Sequence, residues 1–388
     1  MFVYLDNSST TRPYDQVAET MIKVLSDDFG NPSSLHTLGL TAEKYVKSAR
    51  KSVASALGVK DDEIYFTSGG TESDNTALFG AASARRRGHG RIITTAVEHP
   101  AVLEAARRLE REGWKVEYIG VDRNCRPDME ALKSSIAEDV ALISVMTVNN
   151  ETGTIMPVGE IADIKEKFNR EHGTDILFHT DAVQALGKTG IPTAGVDMIS
   201  VSGHKVHGPK GTGALFIRRG LTVPPFMYGG GQEKNMRSGT ENTPGIAGFG
   251  KACDVFVSGW EKRVRSMRES RQRLLEGLTS EIGDLVINSP LGEDACPSVL
   301  NVSFIGVRGE VLLHTLEQDG IFVSTGSACS SNKKGQSHVL KAMGLSDREI
   351  EGAVRFSFSE FNTKEEMDYV TEKTKQAVAR FRKLGSFR

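Results

Sequence analysis

Short apolar runs alternate with amphipathic segments through the middle of the chain. Seven of these runs have the length of a strand, and several are bounded by Gly, Asn or Asp and rich in Val and Ile. They cover residues 63–69, 91–97, 115–121, 141–148, 175–180, 198–203 and 213–218. Between them lie helical patterns, such as Ile161, Ile164 and Phe168 followed by the stop signal Gly173. This alternation predicts an α/β domain with a mostly parallel sheet.

The last two of these runs are joined without a helix. Residues 208–213 read Gly-Pro-Lys-Gly-Thr-Gly, which is a turn-like sequence. We therefore expect the seventh strand to run antiparallel to its neighbour.

Beyond about residue 256 the pattern changes. A charged helical segment is followed by three strand candidates and a final helix, at residues 261–278, 298–305, 321–323, 353–359 and 363–383. This order predicts a smaller α+β domain. We expect three parts: an N-terminal segment that packs with the small domain (1–14), a large domain (15–256) and a small C-terminal domain (257–388) that carries a polar loop at 324–336.

The composition is that of an ordinary soluble protein, with 38% hydrophobic and 25% charged residues among 388. A net charge of −2 gives no electrostatic footprint for nucleic acid. The apolar stretches are far shorter than the roughly 20 residues of a membrane helix, and the N-terminus lacks the regions of a signal peptide. The four cysteines show no C-x-x-C pair and no zinc spacing. We expect a cytoplasmic protein with no metal site.

A lysine and a carboxylate follow neighbouring predicted strands. Lys205 closes the sequence Ser-Gly-His-Lys after the sixth run, and Asp181 follows the fifth run. Such a pair suits pyridoxal phosphate, because a lysine forms a Schiff base with the cofactor aldehyde and a carboxylate keeps the pyridine nitrogen protonated. Either residue alone is better explained as an ordinary polar strand end, so the interpretation depends on the features that follow.

Residues 66–73 (Phe-Thr-Ser-Gly-Gly-Thr-Glu-Ser) join a predicted strand to a predicted helix. Small residues at such a turn let backbone N–H groups approach a phosphate, and the helix N-terminus adds positive potential. Gly70 and Thr71 would then be phosphate ligands. The alternative is a plain helix cap, with Thr71 as N-cap and Asp74 three residues later. A second small polar cluster, residues 237–242, is either another phosphate donor or a surface loop.

His99 lies at the end of the second run, where ligands bind in open α/β sheets. An imidazole there can stack on a flat cofactor ring and move protons near neutral pH. The alternative is a histidine that caps the following helix.

Cys329 lies in the small, polar, Gly-bounded stretch 324–336. Free cysteines are usually buried, so a thiol on an exposed loop indicates that its reactivity is used. Lys333 and Lys334 would favour the thiolate. By contrast, Cys253 has the apolar helical surroundings of a core residue.

Eight short motifs lie in order along almost the whole chain. They read Tyr-Leu-Asp-Asn-Ser-Ser-Thr-Thr (4–11), Gly-Asn-Pro-Ser-Ser-Leu-His (30–36), Thr-Ser-Gly-Gly-Thr-Glu (67–72), Val-Asn-Asn-Glu-Thr-Gly (148–153), His-Thr-Asp-Ala-Val-Gln (179–184), Ser-Gly-His-Lys (202–205), Arg-Ser-Gly-Thr-Glu-Asn (237–242) and Ser-Ala-Cys-Ser-Ser (327–331). With these motifs the sequence resembles the pyridoxal-phosphate-dependent cysteine desulfurases of the NifS/IscS type, in the class-V aminotransferase family.

The resemblance implies how the cofactor would be held. Lys205 would carry it covalently, Asp181 would pair with its pyridine nitrogen, and Gln184 would hydrogen-bond its phenolic oxygen. His99 would stack on the ring and assist proton transfer. The phosphate would be bound by Gly70, Thr71, Ser202 and His204, together with Thr240 from the other subunit of a homodimer.

The resemblance also implies a fold and a reaction. The fold would be type I, with a seven-stranded mostly parallel sheet in a large α/β domain and a smaller α+β C-terminal domain. Asn150 and Arg355 would bind the substrate carboxylate, and Cys329 would attack the sulfur of bound cysteine. L-Cysteine would become L-alanine, leaving a persulfide on Cys329 for a protein acceptor, either an iron–sulfur scaffold or a tRNA-thiolation enzyme.

Other functions remain open at this point. A selenocysteine lyase or a transaminase would use the same scaffold, although a transaminase has no need of a loop cysteine. A non-catalytic adaptor would have no need of Lys205, Asp181 and His99 together. A thiol hydrolase that uses Cys329 and His338 would leave Lys205 and the phosphate cradle unexplained.

Overall fold

The computed structural model describes residues 1–84, 90–325 and 336–385. After β1 (Val3–Tyr4), seven strands form the central sheet: β2 (Ile64–Thr67), β3 (Arg91–Thr95), β4 (Lys115–Ile119), β5 (Val140–Ser144), β6 (Leu177–Asp181), β7 (Met198–Ser202) and β8 (Gly213–Ile217). Their spatial order is β2-β8-β7-β6-β5-β3-β4. All neighbours are parallel except β8, which is antiparallel to both β7 and β2. The predicted seven strands and the antiparallel seventh strand are confirmed.

Helices cover both faces of this sheet. They are α1 (Asp15–Ser26), α2 (Thr37–Leu57), α3 (Gly70–Ala84), α4 (Pro100–Arg111), α5 (Met129–Ser135), α6 (Val158–His172) and α7 (Thr243–Val257). Successive residues of one strand point to opposite faces. Accordingly, Ile92 packs in one buried cluster with α3 and α4, while Ile93 packs in another with α2 and α6. A strand buried on both faces has no polar side, which explains the unbroken apolar runs of the sequence.

A second core lies in the C-terminal part of the chain. Its elements are α8 (Trp260–Glu281), β9 (Leu285–Ile287), β10 (Val299–Phe304), α9 (Gly309–Gln318), β11 (Ile321–Phe322), α10 (His338–Ala342), α11 (Asp347–Glu351), β12 (Ala353–Ser357) and α12 (Lys364–Leu384). The strands β12, β10 and β9 form an antiparallel sheet. β1 pairs in parallel with β11, and Val3 and Leu5 are buried in this second core. The domain boundary after residue 256 stays a prediction.

Some predicted bounds differ from the structure. The run at 141–148 is a strand only as far as Ser144. Val145 to Val148 are buried beyond the end of the strand, and the backbone N–H groups of Val145 and Thr147 still donate to carbonyl oxygens of β6. Cys125, Cys253 and Cys296 are buried, whereas Cys329 lies outside the described residues. No helix of the described chain is long and apolar enough to cross a membrane.

Candidate active site

The carboxyl ends of the central strands open onto a cavity of about 250 Å³. Ten of the predicted site residues line it: Gly70, Thr71, His99, Asn150, Asp181, Gln184, Ser202, His204, Lys205 and Arg355. Four residues that were not predicted also line it: Ser8, Asp74, Met146 and Val183. A larger groove of about 650 Å³ runs along the N-terminal segment and contains none of the predicted site residues.

Lys205 ends a 3-10 turn, Gly203–Lys205, that follows β7 directly. Glycine is required at the start of this turn, because a Cβ on Gly203 would lie 2.8 Å from Thr212 Oγ1. From the end of the turn, Lys205 Nζ donates to the carbonyl oxygens of Ser8 and Ser9, at 2.6 and 2.8 Å. The N-terminal segment thus holds the amine at the wall of the cavity.

Asp181 is the last residue of β6 and is buried. Its Oδ1 accepts a hydrogen bond from the backbone N–H of Val183 at 2.9 Å. Burial raises the pKa of Asp181, while His99 and Lys205 act in the opposite direction. One side-chain atom from each of Asp74, His99 and Asp181 lies within 4.8 Å of the others. Two carboxyl groups and one imidazole therefore converge at this point.

His99 is the N-cap of α4, where its Nδ1 accepts from the backbone N–H of Ala101 at 3.2 Å. An accepting Nδ1 carries no proton, so the neutral ring is protonated on Nε2. Burial lowers the pKa of His99, with Asp181 opposing it, which favours the neutral ring. His99 therefore caps a helix, as one interpretation of the sequence predicted, and it also lines the cavity. Its stacking on a cofactor stays a prediction.

The predicted phosphate cradle is the beginning of α3, which starts at Gly70. Gly69 has a φ of +154°, and a Cβ on Gly70 would lie 2.7 Å from Val183 Cγ2. Thr71 lies within the first turn of the helix, so the alternative in which it is the N-cap is wrong. Backbone N–H groups without intrahelical partners, next to the hydroxyls of Thr71 and Ser202, suit a bound phosphate.

Arg355 lies in β12 and is 2% exposed. Its Nη1 donates to the carbonyl oxygen of Asn150 at 3.0 Å. Its Nη2 donates to Asp6 Oδ1 at 2.9 Å and to Ser9 Oγ at 2.7 Å. Nε is buried without a hydrogen-bond partner among the described residues. The structure brings Asn150 and Arg355 together as predicted from the resemblance, and it adds Asp6, which the sequence did not single out.

Two further buried acids adjoin the cavity. Glu98 accepts from Thr95 Oγ1 and from the backbone N–H of Met146, and burial raises its pKa to about 8. Burial raises the pKa of Asp74 well above its usual range, and its Oδ1 lies 3.5 Å from His179 Nε2. Nothing in the local sequence marks either residue as buried, although Glu98 is adjacent to His99 and Asp74 follows the cradle.

The other two predicted site residues are Cys329 and Thr240. Cys329 belongs to residues 326–335, which lie outside the described residues. The ends of this stretch are anchored beside the site: the backbone of Ser324 pairs with that of Arg355, and His338 Nε2 lies 3.0 Å from the carbonyl oxygen of Glu98. Thr240 does not line the cavity, and its role in the other subunit stays a prediction.

The residues present fit pyridoxal phosphate. Three buried polar atoms of the cavity lining, Ser8 Oγ, Asp74 Oδ1 and Arg355 Nε, have no hydrogen-bond partner among the described residues. Buried polar groups are rarely left unpaired, so the cavity is built for a polar ligand. A helix N-terminus that begins at a glycine and adjoins two hydroxyl groups suits the phosphate, and the carboxyl pair Asp74 and Asp181 suits a protonated ring nitrogen.

Comparisons with known proteins agree with this geometry. Residues 3–370 match the family model described as aminotransferase class-V. A cysteine desulfurase of Nostoc sp. is 42% identical over 100% of this chain and 95% of its own length. A cysteine desulfurase IscS of Methanosarcina thermophila is 43% identical over 99% of this chain and 93% of its own. A solved NifS-like protein superposes with a TM-score of 0.91 at 40% identity, covering 98% of this chain and 100% of that one.

Proposed function

The chain belongs to the class-V aminotransferase family, and we propose that it is a cysteine desulfurase that uses pyridoxal phosphate in the cavity around Lys205. The observation that supports this most is the convergence of Lys205, Asp181 and Arg355 on one cavity. These three side chains are the ones that a cofactor with an aldehyde and a pyridine nitrogen, and a substrate with a carboxylate, require. The full-length relatives point to the same activity.

The first roles concern the cofactor. Asp181 would hold the protonated ring nitrogen, since a buried carboxylate is stabilised by a cation in contact with it. Lys205 would carry the cofactor, and the start of α3 would bind its phosphate through Gly70, Thr71, Ser202 and His204. When bound, the cofactor supplies an electron sink for negative charge at the substrate Cα.

The remaining roles concern the substrate. Arg355 and Asn150 would hold its carboxylate, and His99, neutral with a proton on Nε2, would move protons near the ring. Cys329 Sγ, as thiolate, would attack the sulfur of the bound cysteine. In that transfer the substrate C–S bond breaks, an S–S bond forms on Cys329, and the substrate Cβ takes up a proton. The products are L-alanine and a persulfide on Cys329.

The wider setting is proposed from the resemblance. The persulfide sulfur would pass to a protein acceptor, either an iron–sulfur cluster scaffold or a tRNA-thiolation enzyme, in the cytoplasm. The enzyme would be a homodimer in which Thr240 completes the phosphate site of the other subunit.

Cys329→Ser separates cofactor binding from sulfur transfer. The variant keeps Lys205, so we expect it to bind cofactor with a visible absorbance band like that of the wild type. It should form alanine at a rate reduced by at least about 100-fold, because serine is a much poorer nucleophile than the Cys329 thiolate toward the substrate sulfur. Mass spectrometry of the wild type after incubation with L-cysteine should find one extra sulfur on the peptide that contains Cys329.

Lys205→Ala is the matched control, since it should lose the visible band as well as alanine formation. A persulfide found on Cys125, Cys253 or Cys296 instead would contradict the role of Cys329, and so would normal alanine production by Cys329→Ser. Parallel assays with L-selenocysteine distinguish the desulfurase from a selenocysteine lyase, because a lyase would retain activity on selenocysteine without the loop thiol.

A further inference from the structure

Lys188 is a buried lysine beside the cavity to which neither the sequence nor the proposed mechanism gives a role. The residue is 5% exposed. Its Nζ donates to Gln184 Oε1 at 3.0 Å, which is the one hydrogen bond of this ammonium group to the described part of the chain. None of the ion pairs between described residues includes Lys188, so no neighbouring carboxylate there compensates its charge.

A buried ammonium without a carboxylate partner is costly to the fold. Burial is the main cause that lowers the pKa of Lys188 to about 8; Cys296 opposes this shift, and the like charge of Arg355 contributes to it. Neutral apolar side chains of similar length would fill the same space without that cost. The presence of a lysine here is therefore best explained by its contact with the Gln184 side chain.

That contact fixes the orientation of the Gln184 amide. An ammonium has only donors, so the atom that faces Lys188 must be the amide oxygen. The amide nitrogen then points the other way, where Nε2 donates to the carbonyl oxygen of Ser8 at 2.9 Å. Both Ser8 and Gln184 line the cavity. If the amide were rotated by about 180°, its NH2 group would face the ammonium of Lys188, donor against donor. Its oxygen would then face the carbonyl oxygen of Ser8, acceptor against acceptor.

We propose that Lys188 is a positioning residue that holds Gln184 with its amide nitrogen toward the cavity, so that the N–H not bonded to Ser8 can donate to an ionised oxygen of the bound cofactor. This rests on the proposed function, in which Gln184 meets the phenolic oxygen of pyridoxal phosphate. The same ammonium places a positive charge behind that donor. Both effects stabilise the ionised oxygen, so together they lower the pH at which the cofactor's absorbance band titrates.

Lys188→Met tests this in the loaded enzyme by a pH titration of the visible absorbance band. The methionine side chain fills similar space without a donor or a charge. We expect the titration midpoint to rise by about one pH unit, the lower end of the effect of a nearby charge on a pKa. Lys188→Gln retains a donor for Gln184 Oε1 but lacks the charge, so its titration midpoint should rise by less than that of Lys188→Met. Lys167→Met, at an exposed lysine of α6, should titrate as the wild type does.

The decisive arm repeats Lys188→Met in a Gln184→Ala background. If Lys188 acts through Gln184, Lys188→Met should shift the midpoint in the Gln184→Ala background by less than half of its shift in the wild type. An equal shift in both backgrounds would show that Lys188 acts directly on the cofactor or only through its charge, and the inference would be wrong. An unchanged midpoint in Lys188→Met, with only a lower melting temperature, would assign a purely structural role.

Failure of the proposed function gives a different result from failure of this inference. A wild-type protein that shows no visible band after incubation with pyridoxal phosphate would overturn the proposed function itself. A wild type with the band, whose midpoint is insensitive to Lys188→Met, would overturn only the role of Lys188.

Discussion

In the proposed function, Arg355 is the residue at which Asp6 and Ser9 compete with the substrate for the same donors. A guanidinium pairs with a carboxylate through two parallel N–H groups, and both edges that offer such a pair include Nη2. In the structure Nη2 already donates to Asp6 Oδ1 and Ser9 Oγ, while Nε has no partner among the described residues. A substrate carboxylate that binds in the two-pronged manner must therefore displace Asp6 or Ser9.

Asp6→Asn should strengthen the binding of carboxylate ligands. The asparagine keeps an acceptor for Nη2 but removes a competing negative charge, and a hydrogen bond to a charged group exceeds a neutral one by about 1 kcal/mol. We expect the dissociation constant of L-alanine, measured from the change in the visible spectrum, to fall by about fivefold. Asp15→Asn, which breaks an exposed pair with Arg12, is the control and should have no effect. Weaker alanine binding in Asp6→Asn would mean that Asp6 holds Arg355 in place for the substrate instead of competing with it.

At the scale of elements, the start of α3 depends on an unusually close approach to the turn after β6. Gly70 leaves no room for a side chain, because a Cβ would meet Val183 Cγ2 at 2.7 Å. The helix N-terminus and the Asp181 carboxylate are thereby fixed relative to each other, since Val183 donates its backbone N–H to Asp181. In the proposed function, this contact would set the distance between the end of the site that binds the phosphate and the end that binds the ring nitrogen.

Gly70→Ala should weaken cofactor binding while leaving the fold intact. Overpacking of this kind costs about 1–3 kcal/mol, which corresponds to an affinity loss of at least about fivefold. Equilibrium titration of cofactor-free protein with pyridoxal phosphate measures it. Val183→Ala removes the clashing methyl groups, so the double variant Gly70→Ala/Val183→Ala should recover most of the affinity lost, and Val183→Ala alone serves as the control. If the double variant binds no better than Gly70→Ala, the close contact is not what the glycine provides.

The elements differ in how far the sequence could predict them. Strands β5 to β8 were predictable because every residue in them is buried, which favours long runs of mostly apolar residues. The edge strand β4 is only partly buried, and its run is less apolar. Lys205, Asp181 and His99 were predictable because they follow strand ends, which meet at one edge of a parallel sheet. The partners of Arg355 were not, since Asp6 and Ser9 are about 350 residues away along the chain and no local pattern encodes such a contact. Lys188 reads as an ordinary polar residue near a glycine, and only its burial distinguishes it.

At the scale of the whole molecule, mixed dimers can test whether Thr240 of one subunit completes the phosphate site of the other. Loss of a charge-assisted hydrogen bond from Thr240 to the phosphate would cost roughly 1.5–3 kcal/mol, or about ten- to hundred-fold in cofactor affinity. A heterodimer with Lys205→Ala on one chain and Thr240→Ala on the other would then contain one site with both defects and one with neither. We expect tight cofactor binding in about half of the sites.

The result would differ if Thr240 contributed to the site of its own subunit. If Thr240 acts within its own subunit, every site that retains Lys205 also carries the Thr240→Ala defect, and no tight site remains. Homodimers of Thr240→Ala provide the reference affinity for a weakened site. Light scattering on the same samples establishes that the two variants do form dimers.

The N-terminal segment also bears on the order of events during synthesis. Residues near the start of the chain hold Lys205 through the carbonyl oxygens of Ser8 and Ser9, yet the segment itself is fastened by Ser357, whose backbone N–H donates to Leu5 O at 2.7 Å. Closing a loop of this length is slow compared with local folding. The strands of the central sheet are all translated before Ser357, whereas the segment also contacts the large domain through Thr11 and His204. We therefore expect a chain that ends before β12 to hold its N-terminal segment, and with it the cofactor, less tightly than the whole chain does.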